Sequence, residues 1–278
     1  MLKNLKIGIV GVGMVGGALK RYFEKQGIKP FIYDKGKNLG SIEEVNQAEI
    51  IFICVPTPYN KKKGFDLSFV EDAISNIQAK KIIVIKSTVL PGTTEFLQKK
   101  YKHHRFLFNP EFLTETTAWK DFSQPIFQII GFTSKSKNLA KKILKILPKG
   151  KTQAILPSTV AEVFKYARNC FFASKVIFAN QIYDLCKKLK INYKDIKKLM
   201  SSDPWIGKNH LEIFHKGYRG FGGKCLPKDL KAFISFYKKL NLKPELFEVV
   251  DKINFNLLKK QKLLNRLYNY WLHNKNKD

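Results

Sequence analysis

The chain has 278 residues, of which 44% are hydrophobic and 26% are charged, values typical of a globular protein. It has no apolar run of roughly 18 residues, so the sequence does not predict a transmembrane helix. The 51 Lys and Arg residues against 22 Asp and Glu residues give a net charge of +29, and the lysines are scattered from Lys3 to Lys277. We interpret this as a lysine-rich surface that attracts anionic ligands, and we expect neither a nucleic-acid nor a membrane partner.

Residues 1–19 place lysines before an apolar stretch, an order that superficially resembles a signal peptide. Glycines interrupt the stretch and no small-residue cleavage site follows, so we interpret it as the start of the fold and expect a cytoplasmic location. The cysteines contain no CxxC pair and the histidines lack ligand spacing, so we predict neither a metal site nor a disulfide framework. His103 and His104 lie among basic residues, and we expect both to be solvated.

Short apolar runs alternate with amphipathic stretches in the first half of the chain. Most runs lack in/out alternation, which is typical of strands buried on both faces of a parallel sheet. The predicted strands are Leu5–Val10, Phe31–Tyr33, Ile50–Cys54, Ile82–Ile85, Phe106–Phe108 and Phe127–Ile130. With right-handed crossovers, they predict an α/β fold with a Rossmann-type doubly wound parallel sheet over residues 1–153.

A glycine-rich loop, Gly11-Val12-Gly13-Met14-Val15-Gly16, follows the first predicted strand and opens a predicted helix. In that setting the first glycine allows a tight turn, the second admits a pyrophosphate, and the third lets the helix pack on the strand. The pyrophosphate would lie at the helix N-terminus, where N–H groups and the helix dipole favour an anion.

Asp34 ends the second predicted strand, eighteen residues after Gly16. A carboxylate at this place binds a ribose 2′-hydroxyl and repels a 2′-phosphate, so we predict NAD as the cofactor. Lys35 and Lys37 follow at once and leave NADP open as the less favoured choice.

A second polar segment is Asn109-Pro110-Glu111-Phe112-Leu113-Thr114-Glu115. Asn109 as N-cap and Pro110 at the first helical position predict that a helix starts here. Glu111 and Glu115, four residues apart, would then share a face of that helix. The spacing alone fits a chemical role and a role in complementing the helix dipole equally well.

The sequence pattern changes near residues 148–150, and helical periodicity dominates afterwards. Thr159-x-x-Glu162 is typical of a capping box and predicts a long helix through about Lys190. This helix is apolar over much of its circumference, so we expect a domain or dimer interface to bury it. Further helices are predicted over residues 193–201, 229–240 and 244–272. Together they predict an all-α central domain over residues 154–278.

Lys165 and Asn169 lie four residues apart on the long predicted helix, and therefore on one face of it. A lysine on so apolar a helix either extends its ammonium group to solvent or is held beside an anion. The pattern does not decide between these two interpretations.

The segment 220–229, GFGGKCLPKD, places Cys225 after a run of glycines and four residues before Asp229. Glycines permit close backbone approach, and a thiol near Lys224 and a helix start is expected to ionise more readily than an isolated cysteine. A small buried side chain at residue 225, or a helix N-cap at residue 229, would explain either residue alone. Neither explanation accounts for the glycines.

Together these segments resemble the UDP-glucose/GDP-mannose dehydrogenase family, and the match covers nearly the whole chain. The family motifs occur in family order as the GVGMVG loop, VPTP at 55–58 with DLS at 66–68, KSTV at 86–89, NPEFLTE at 109–115, KYARN at 165–169 and GFGGKCLPKD at 220–229. The resemblance implies an NAD-dependent dehydrogenase that oxidises the C6 alcohol of a nucleotide sugar, UDP-glucose in the first place, for polysaccharide biosynthesis.

The resemblance also implies a mechanism through a cysteine thioester. Cys225 would capture the aldehyde formed by a first hydride transfer, and a second hydride transfer would give a thioester that water cleaves. Lys165 and Asn169 would stabilise oxyanions, and Asp229 and Thr88 would position the water. The implied catalytic residues are Cys225, Lys165, Asn169, Asp229, Glu115, Glu111 and Thr88.

Binding residues and partners follow from the same resemblance. The implied cofactor residues are Gly11, Gly13, Met14, Val15, Gly16, Asp34, Val55, Pro56 and Thr57. The implied substrate residues are Phe112, Leu113, Arg219, Phe221 and Gly222. Family members associate through the central helical domain, so we expect a homodimer.

The sequence departs from the family pattern in three places. Only a short link, residues 41–48, joins the second and third predicted strands. The C-terminal UDP-binding domain of full-length members is expected to be absent from these 278 residues. Trp205 occupies the place of an arginine that reaches the sugar in UDP-glucose enzymes, which leaves the identity of the nucleotide sugar open.

Two alternatives to an active dehydrogenase remain at this stage. A catalytically weak binding or scaffold protein derived from the enzyme, or one that needs a partner chain for its nucleotide site, would account for Trp205 and the high positive charge. A simple two-electron dehydrogenase of the 6-phosphogluconate or hydroxyacid type would share the Rossmann half, but it would have no need of the segment 220–229.

Overall fold

The structure is a computed structural model that describes residues 5–60, 64–223 and 225–268. It divides into two compact units. The first comprises residues up to Pro58 together with Phe65–Lys165, and the second comprises Tyr59–Gly64 together with residues from Tyr166 onward. The expected change of domain after residue 153 stays a prediction, because the long helix that begins at Ser158 contributes to both units.

Ten strands are present in the described part of the chain. They are β1 (Ile7–Val10), β2 (Phe31–Asp34), β3 (Leu39–Gly40), β4 (Ile50–Ile53), β5 (Tyr59–Asn60), β6 (Gly64–Phe65), β7 (Ile82–Ile85), β8 (Arg105–Phe108), β9 (Phe127–Phe132) and β10 (Thr152–Pro157). Strands β5 and β6 form a separate pair, and the other eight form one sheet in the order β10-β9-β8-β7-β4-β1-β2-β3. Within the eight-stranded sheet, only the β2–β3 and β8–β9 pairs are antiparallel.

The large sheet is covered by helices because parallel strands need crossover connections. Strands β1 and β4 are buried at every position, as their uninterrupted apolar sequences predict. The helices of the first unit are α1 (Met14–Lys25), α2 (Ile42–Val45), α3 (Ser68–Ser75), α4 (Thr93–Lys100), α5 (Ala118–Ser123) and α6 (Lys137–Ile146). Four strands were not predicted: the two-residue strands β3, β5 and β6, and the six-residue strand β10, which pairs in parallel with β9.

The second unit is helical. Its helices are α7 (Ser158–Leu189, which begins in the first unit), α8 (Tyr193–Ser202), α9 (Leu226–Lys239) and α10 (Glu245–Lys260), and a π-helical turn follows at Leu264–Tyr268. The predicted fold class, a Rossmann-type sheet followed by a helical region, is confirmed. Among the described residues, no helix combines the length and the apolar character needed to span a bilayer.

The predicted capping box at the start of α7 is wrong. The Glu162 carboxylate does not reach back to its own helix; it accepts hydrogen bonds from the Gly92 N–H at 2.6 Å, the Thr94 N–H at 2.9 Å and the Thr94 hydroxyl at 2.6 Å. These groups belong to the first turn of α4, where N–H groups lack partners within the helix. Glu162 is fully buried and therefore caps a different helix from the one that carries it.

The predicted helix at Asn109 is also wrong, since residues 109–114 have no helical structure. Asn109 is fully buried, and its amide donates to the Gln128 side chain and the Ile129 carbonyl, both at 2.8 Å. These long-range bonds replace the N-cap bond that the local pattern suggested. Consequently Glu111 and Glu115 do not share a helical face.

The expectation that both adjacent histidines are solvated holds only for His103. His104 is fully buried, and its Nδ1 accepts a hydrogen bond from the Lys81 N–H at 3.2 Å. Burial lowers the pKa of His104 to about 4, so the ring is neutral at physiological pH.

We predict that Glu162→Ala lowers the free energy of unfolding by about 2–3 kcal/mol, because it leaves buried donors at the start of α4 without an acceptor. Denaturant titration followed by circular dichroism measures this change.

The matched control is Thr159→Ala, at the exposed position that a capping box would use. We expect it to change the free energy of unfolding by less than about 0.5 kcal/mol. Equal losses in the two variants would contradict the observed capping.

Candidate active site

The glycine-rich loop between β1 and α1 has the shape that a dinucleotide requires. Gly11 adopts a φ of 87°, and a Cβ on it would lie 2.7 Å from the Cys54 carbonyl oxygen. A Cβ on Gly16 would lie 1.9 Å from the Gly11 carbonyl oxygen, so only glycine fits at either position. Gly13, the N-cap of α1, has open space where its side chain would be. The loop therefore leaves room for a pyrophosphate next to the helix N-terminus, and these residues fit NAD.

Asp34, at the end of β2, fixes this loop. One carboxylate oxygen accepts a hydrogen bond from the Val12 N–H at 2.6 Å, and the other accepts from the Lys37 N–H at 3.1 Å. The Lys37 ammonium group in turn donates to the Val12 carbonyl at 2.7 Å. The backbone N–H and C=O groups of Val12 are thus bonded by Asp34 and Lys37, at the end of β2 and in the turn after it, next to the predicted ribose site.

The carboxyl ends of β4 and β7 are tied together beside the loop. The Thr57 hydroxyl donates to the Thr88 carbonyl at 2.7 Å, and the Ser87 hydroxyl donates to the Val55 carbonyl at 2.7 Å. Pro56 between them is exposed. The predicted cofactor residues 55–57 and the predicted catalytic Thr88 therefore meet at one edge of the sheet, the edge where such folds bind ligands.

Lys165 and Glu111 form a buried ion pair in the first unit. The Lys165 ammonium group donates to the Glu111 carboxylate at 2.9 Å and to the Glu111 main-chain carbonyl at 2.6 Å. Their side chains are only 4% and 10% exposed. This decides the question that the sequence left open, since the lysine is held beside an anion and does not extend to solvent.

The rest of the segment after β8 is arranged around this pair. The second Glu111 carboxylate oxygen accepts from the Leu113 N–H at 2.8 Å. Phe112 packs edge-on against Phe127 and Phe164 at centroid distances of 5.7 and 5.8 Å. Glu115 is exposed in the turn that follows. Of the two predicted glutamates, the structure therefore brings only Glu111 to Lys165.

Asn169 and Asp229, two of the predicted catalytic residues, meet in the second unit. The Asn169 amide donates to one Asp229 carboxylate oxygen at 2.6 Å, and the Lys228 ammonium group donates to the other at 2.6 Å. Asp229 is 1% exposed, so its charge is balanced by the neighbouring lysine in a site with little water.

Cys225 opens α9 as its N-cap residue and is partly buried. The Asp229 N–H donates to the Cys225 carbonyl at 2.9 Å, the first bond of the helix. Asp229 is therefore a residue within the helix and not its N-cap. A sulfur at a helix N-terminus lies where the dipole favours a thiolate, which is the reactive form of the side chain.

The predicted substrate residue Arg219 has well-defined contacts in the second unit. Its guanidinium group donates to the Asn180 side chain at 3.0 Å and the Asn180 carbonyl at 3.2 Å, and it pairs with Asp184 at 2.8 Å. Phe221 is buried, whereas Trp205 is 95% exposed. A direct substrate contact of Arg219, Phe221 or Gly222 stays a prediction.

Sequence reasoning gave no role to Lys86, although it noted the KSTV motif. Lys86 is buried, and its ammonium group donates to the side-chain oxygen of Asn109 at 2.5 Å. Burial lowers its pKa to about 8, against the opposing influence of Cys54 and Glu111. No local pattern signals this interaction, because the partner of Lys86 follows 23 residues later.

Among the described residues, no group of three or more His, Cys, Asp or Glu side chains could hold a metal ion.

Models of two domains of one protein family match the chain. The NAD binding domain of the UDP-glucose/GDP-mannose dehydrogenase family matches residues 35–147, and the central domain of the same family matches residues 159–256. The chain belongs to this family. The match to the NAD binding domain confirms NAD as the predicted cofactor, and the pair of matches confirms the resemblance stated from the motifs.

Individual members of the dehydrogenase family resemble the chain over most of its length. UDP-glucose 6-dehydrogenase of Rickettsia felis is 35% identical over 221 residues, covering 76% of this chain and 48% of that protein. The putative UDP-glucose 6-dehydrogenase YtcA of Bacillus subtilis is 30% identical, covering 90% of this chain and 67% of that protein. The chain thus spans about half the length of the rickettsial relatives it matches.

A solved structure agrees with the fold of this dehydrogenase family. The UDP-glucose dehydrogenase from the hyperthermophilic archaeon Pyrobaculum islandicum superposes with a TM-score of 0.82 at 26% sequence identity. The superposition covers 95% of this chain and 72% of that one. The fold described above is therefore also found in a dehydrogenase of known structure.

We predict that Asp34→Asn raises the Kd for NAD about tenfold, because a charge-assisted bond to the ribose is lost. The Kd for NADP should fall at the same time, since repulsion of the 2′-phosphate is removed. Isothermal titration calorimetry with both cofactors measures the two values.

Asp72→Asn, which removes the same charge from the exposed face of α3, is the control for this experiment. An unchanged ratio of the two dissociation constants in the Asp34 variant would refute the assignment of Asp34 to the ribose.

Proposed function

We propose that the chain is an NAD-dependent nucleotide-sugar dehydrogenase that converts UDP-glucose to UDP-glucuronate. The observation that carries this proposal is the arrangement in the second unit, where Cys225 opens α9 and Asp229, one turn later, is bonded to Asn169. A nucleophile and a buried carboxylate four residues apart share one face of a helix. The names of the relatives, which are UDP-glucose dehydrogenases, support the choice of substrate.

The proposed reaction oxidises the C6 alcohol twice. NAD, when bound, accepts one hydride in each oxidation, so two NAD molecules are reduced for each sugar. The Cys225 sulfur adds to the aldehyde carbon and gives a thiohemiacetal, whose oxidation leaves a thioester. Water then attacks the thioester carbonyl, the carbon–sulfur bond breaks, and the thiol is regenerated with the carboxylate product.

The chain's own residues have distinct tasks in this proposal. Lys165 and Asn169 stabilise the negative charge that develops on the oxygen at C6, as ammonium and amide donors do well. Asp229 and Thr88 position the hydrolytic water, and Glu115 assists its deprotonation with Glu111 nearby. Because Glu111 already neutralises Lys165, the pair can support charge on the substrate oxygen without leaving a lone buried cation in the resting protein.

The substrate's identity rests on the relatives more than on the sugar contacts. Trp205 stands where an arginine is expected, and its ring is almost wholly exposed. It offers no bidentate donor, so another nucleotide sugar could replace UDP-glucose within the same chemistry. A cytoplasmic location, a role in polysaccharide biosynthesis and the absence of nucleic-acid and membrane partners stay predictions from the sequence.

We also propose a homodimer formed through α7. Phe171, Phe178 and Leu185 are 62%, 54% and 53% exposed, and their spacing of seven residues places them in one stripe along the helix. An exposed apolar stripe of this kind is typical of a surface that another copy covers. The long apolar helix predicted from the sequence thus has a face left for a partner.

The double variant Phe171→Ser/Phe178→Ser should be monomeric, because it removes the two largest apolar side chains of the stripe. Light scattering coupled to size-exclusion chromatography measures its mass. Phe96→Ser, an equally exposed phenylalanine on α4, is the control and should keep the mass of the unmodified protein. A monomeric unmodified protein, or a dimeric double variant, would contradict the proposed interface.

We predict that UDP-glucose and NAD yield two NADH per sugar, and that Cys225→Ser abolishes net formation of the acid while NAD still binds. Absorbance at the NADH band, with product stoichiometry by mass spectrometry, measures both. The serine hydroxyl is a much weaker nucleophile at neutral pH, so the aldehyde cannot be carried to the thioester stage.

Cys186→Ser, at a buried cysteine of α7, is the control and should retain both oxidations. Parallel assays with UDP-N-acetyl sugars and GDP-mannose identify the substrate if UDP-glucose is not oxidised. NAD binding without turnover of any of these nucleotide sugars would contradict the proposal and favour the scaffold alternative.

A further inference from the structure

Helix α10 holds the segment that leads to Cys225 by two side-chain amides, Asn254 and Gln261. The Asn254 amide accepts a hydrogen bond from the Phe221 N–H at 2.8 Å and donates to the Phe221 carbonyl at 2.9 Å. The Gln261 amide does the same for Arg219, at 2.9 and 3.0 Å. We call Asn254 and Gln261 the amide clamp.

The clamp satisfies the backbone of a bend that has no partner strand. Each amide pairs with both the N–H and the C=O group of one residue, Asn254 with Phe221 and Gln261 with Arg219. Asn254 is fully buried and Phe221 is 4% exposed, so loss of the amide would leave buried backbone groups without partners.

The glycines before the cysteine make room for α10 and the turn after it. A Cβ on Gly220, whose φ is +89°, would lie 2.6 Å from the Asn254 side-chain oxygen. A Cβ on Gly222 would lie 2.8 Å from the Leu267 Cβ, in the turn that follows α10. Any other residue at these two positions would push the segment away from the clamp. The glycine run is thus explained by the approach of protein backbone to α10.

Cys225 is fixed from both sides as a result. Downstream, its carbonyl accepts the first helical bond of α9, from the Asp229 N–H. Upstream, the clamp fixes Phe221, and only residues 222–224 lie between. The backbone on both sides of Cys225 is therefore bonded, to α10 through Phe221 and within α9 through Asp229.

We infer that Asn254, with Gln261, is a positioning residue for the Cys225 thiol. The clamp holds the sulfur at the N-terminus of α9, where the thiolate is favoured, and so sets its reactivity. Its role in catalysis rests on the proposed function, whereas its effect on the thiol does not.

The test is the rate of Cys225 alkylation by iodoacetamide as a function of pH, with the labelled peptide identified by mass spectrometry. A change in exposure of the thiol alters the plateau rate, whereas a change in its placement at the helix N-terminus alters the midpoint of the profile. For Asn254→Ala we expect the midpoint to rise by about half a pH unit. At any pH well below the midpoint, this corresponds to about threefold less thiolate.

Two further variants are expected to shift the alkylation midpoint by smaller amounts. Asn254→Asp keeps an acceptor for the Phe221 N–H but cannot donate to the carbonyl, so its midpoint should lie between those of the unmodified protein and Asn254→Ala. Gln261→Ala removes the partly exposed half of the clamp and should give a smaller shift; it also carries the test if Asn254→Ala does not fold. Asn256→Ala, at an exposed asparagine of the same helix, is the control and should give no shift.

A folded Asn254→Ala variant with the midpoint of Asn256→Ala would overturn the inference. In a turnover assay, the positioning role further requires that oxidation of the aldehyde slow about tenfold while the Kd for NAD is unchanged. Alkylation needs neither cofactor nor sugar, so a shifted midpoint without any turnover would uphold the clamp and refute the proposed function. Turnover with an unshifted midpoint would do the reverse.

Discussion

The buried ion pair between Glu111 and Lys165 holds the segment after β8 against α7 in the first unit. Lys165 binds both the side chain and the main-chain carbonyl of Glu111. The segment after β8 has no helical structure at these residues, and Phe112 packs against two other aromatic rings. Removing either partner would leave a buried charge alone, which costs about 3–5 kcal/mol in comparable cases. A residue proposed for chemistry is therefore also part of the structure's stability.

The sequence analysis succeeded where the signal was long and apolar. The uninterrupted runs at β1 and β4 are buried at every position, and the glycine spacing of the first loop matches its backbone geometry. It failed where a short polar pattern was interpreted locally. Asn109-Pro110 and Thr159-x-x-Glu162 are typical helix starts, but their side chains bind partners far along the chain, at Gln128 and at Gly92 and Thr94. At Asn109 these tertiary contacts replace the predicted helix, whereas at Thr159 the predicted helix does form and only the partner of Glu162 differs.

In the candidate site, too, the sequence analysis identified residues that belong to specific motifs and missed those that depend on distant contacts. Cys225, Asp229, Lys165 and Asn169 were predicted as site residues because their motifs are specific, and the structure pairs Asn169 with Asp229 and Lys165 with Glu111. Asn254 and Gln261 could not be found, because a single amide on a helix has no pattern and its function depends on a segment more than thirty residues earlier. The glycines at 220 and 222 were recognised as a sign of close approach, but the approaching group is α10.

The contributions of Glu162 and Glu111 to folding stability depend on pH in opposite directions. Burial raises the pKa of Glu162 to about 7, so the folded chain keeps a proton that the unfolded chain releases above about pH 4.5. Its contribution to stability is greatest below pH 4.5 and is lost as the pH rises through 7. Burial acts on Glu111 in the same sense, but the charge and hydrogen bond of Lys165 prevail and lower its pKa, so its contribution is lost on acidification. Mild acid therefore removes the cost of burying the Glu162 charge, whereas stronger acid weakens the segment after β8 by protonating Glu111.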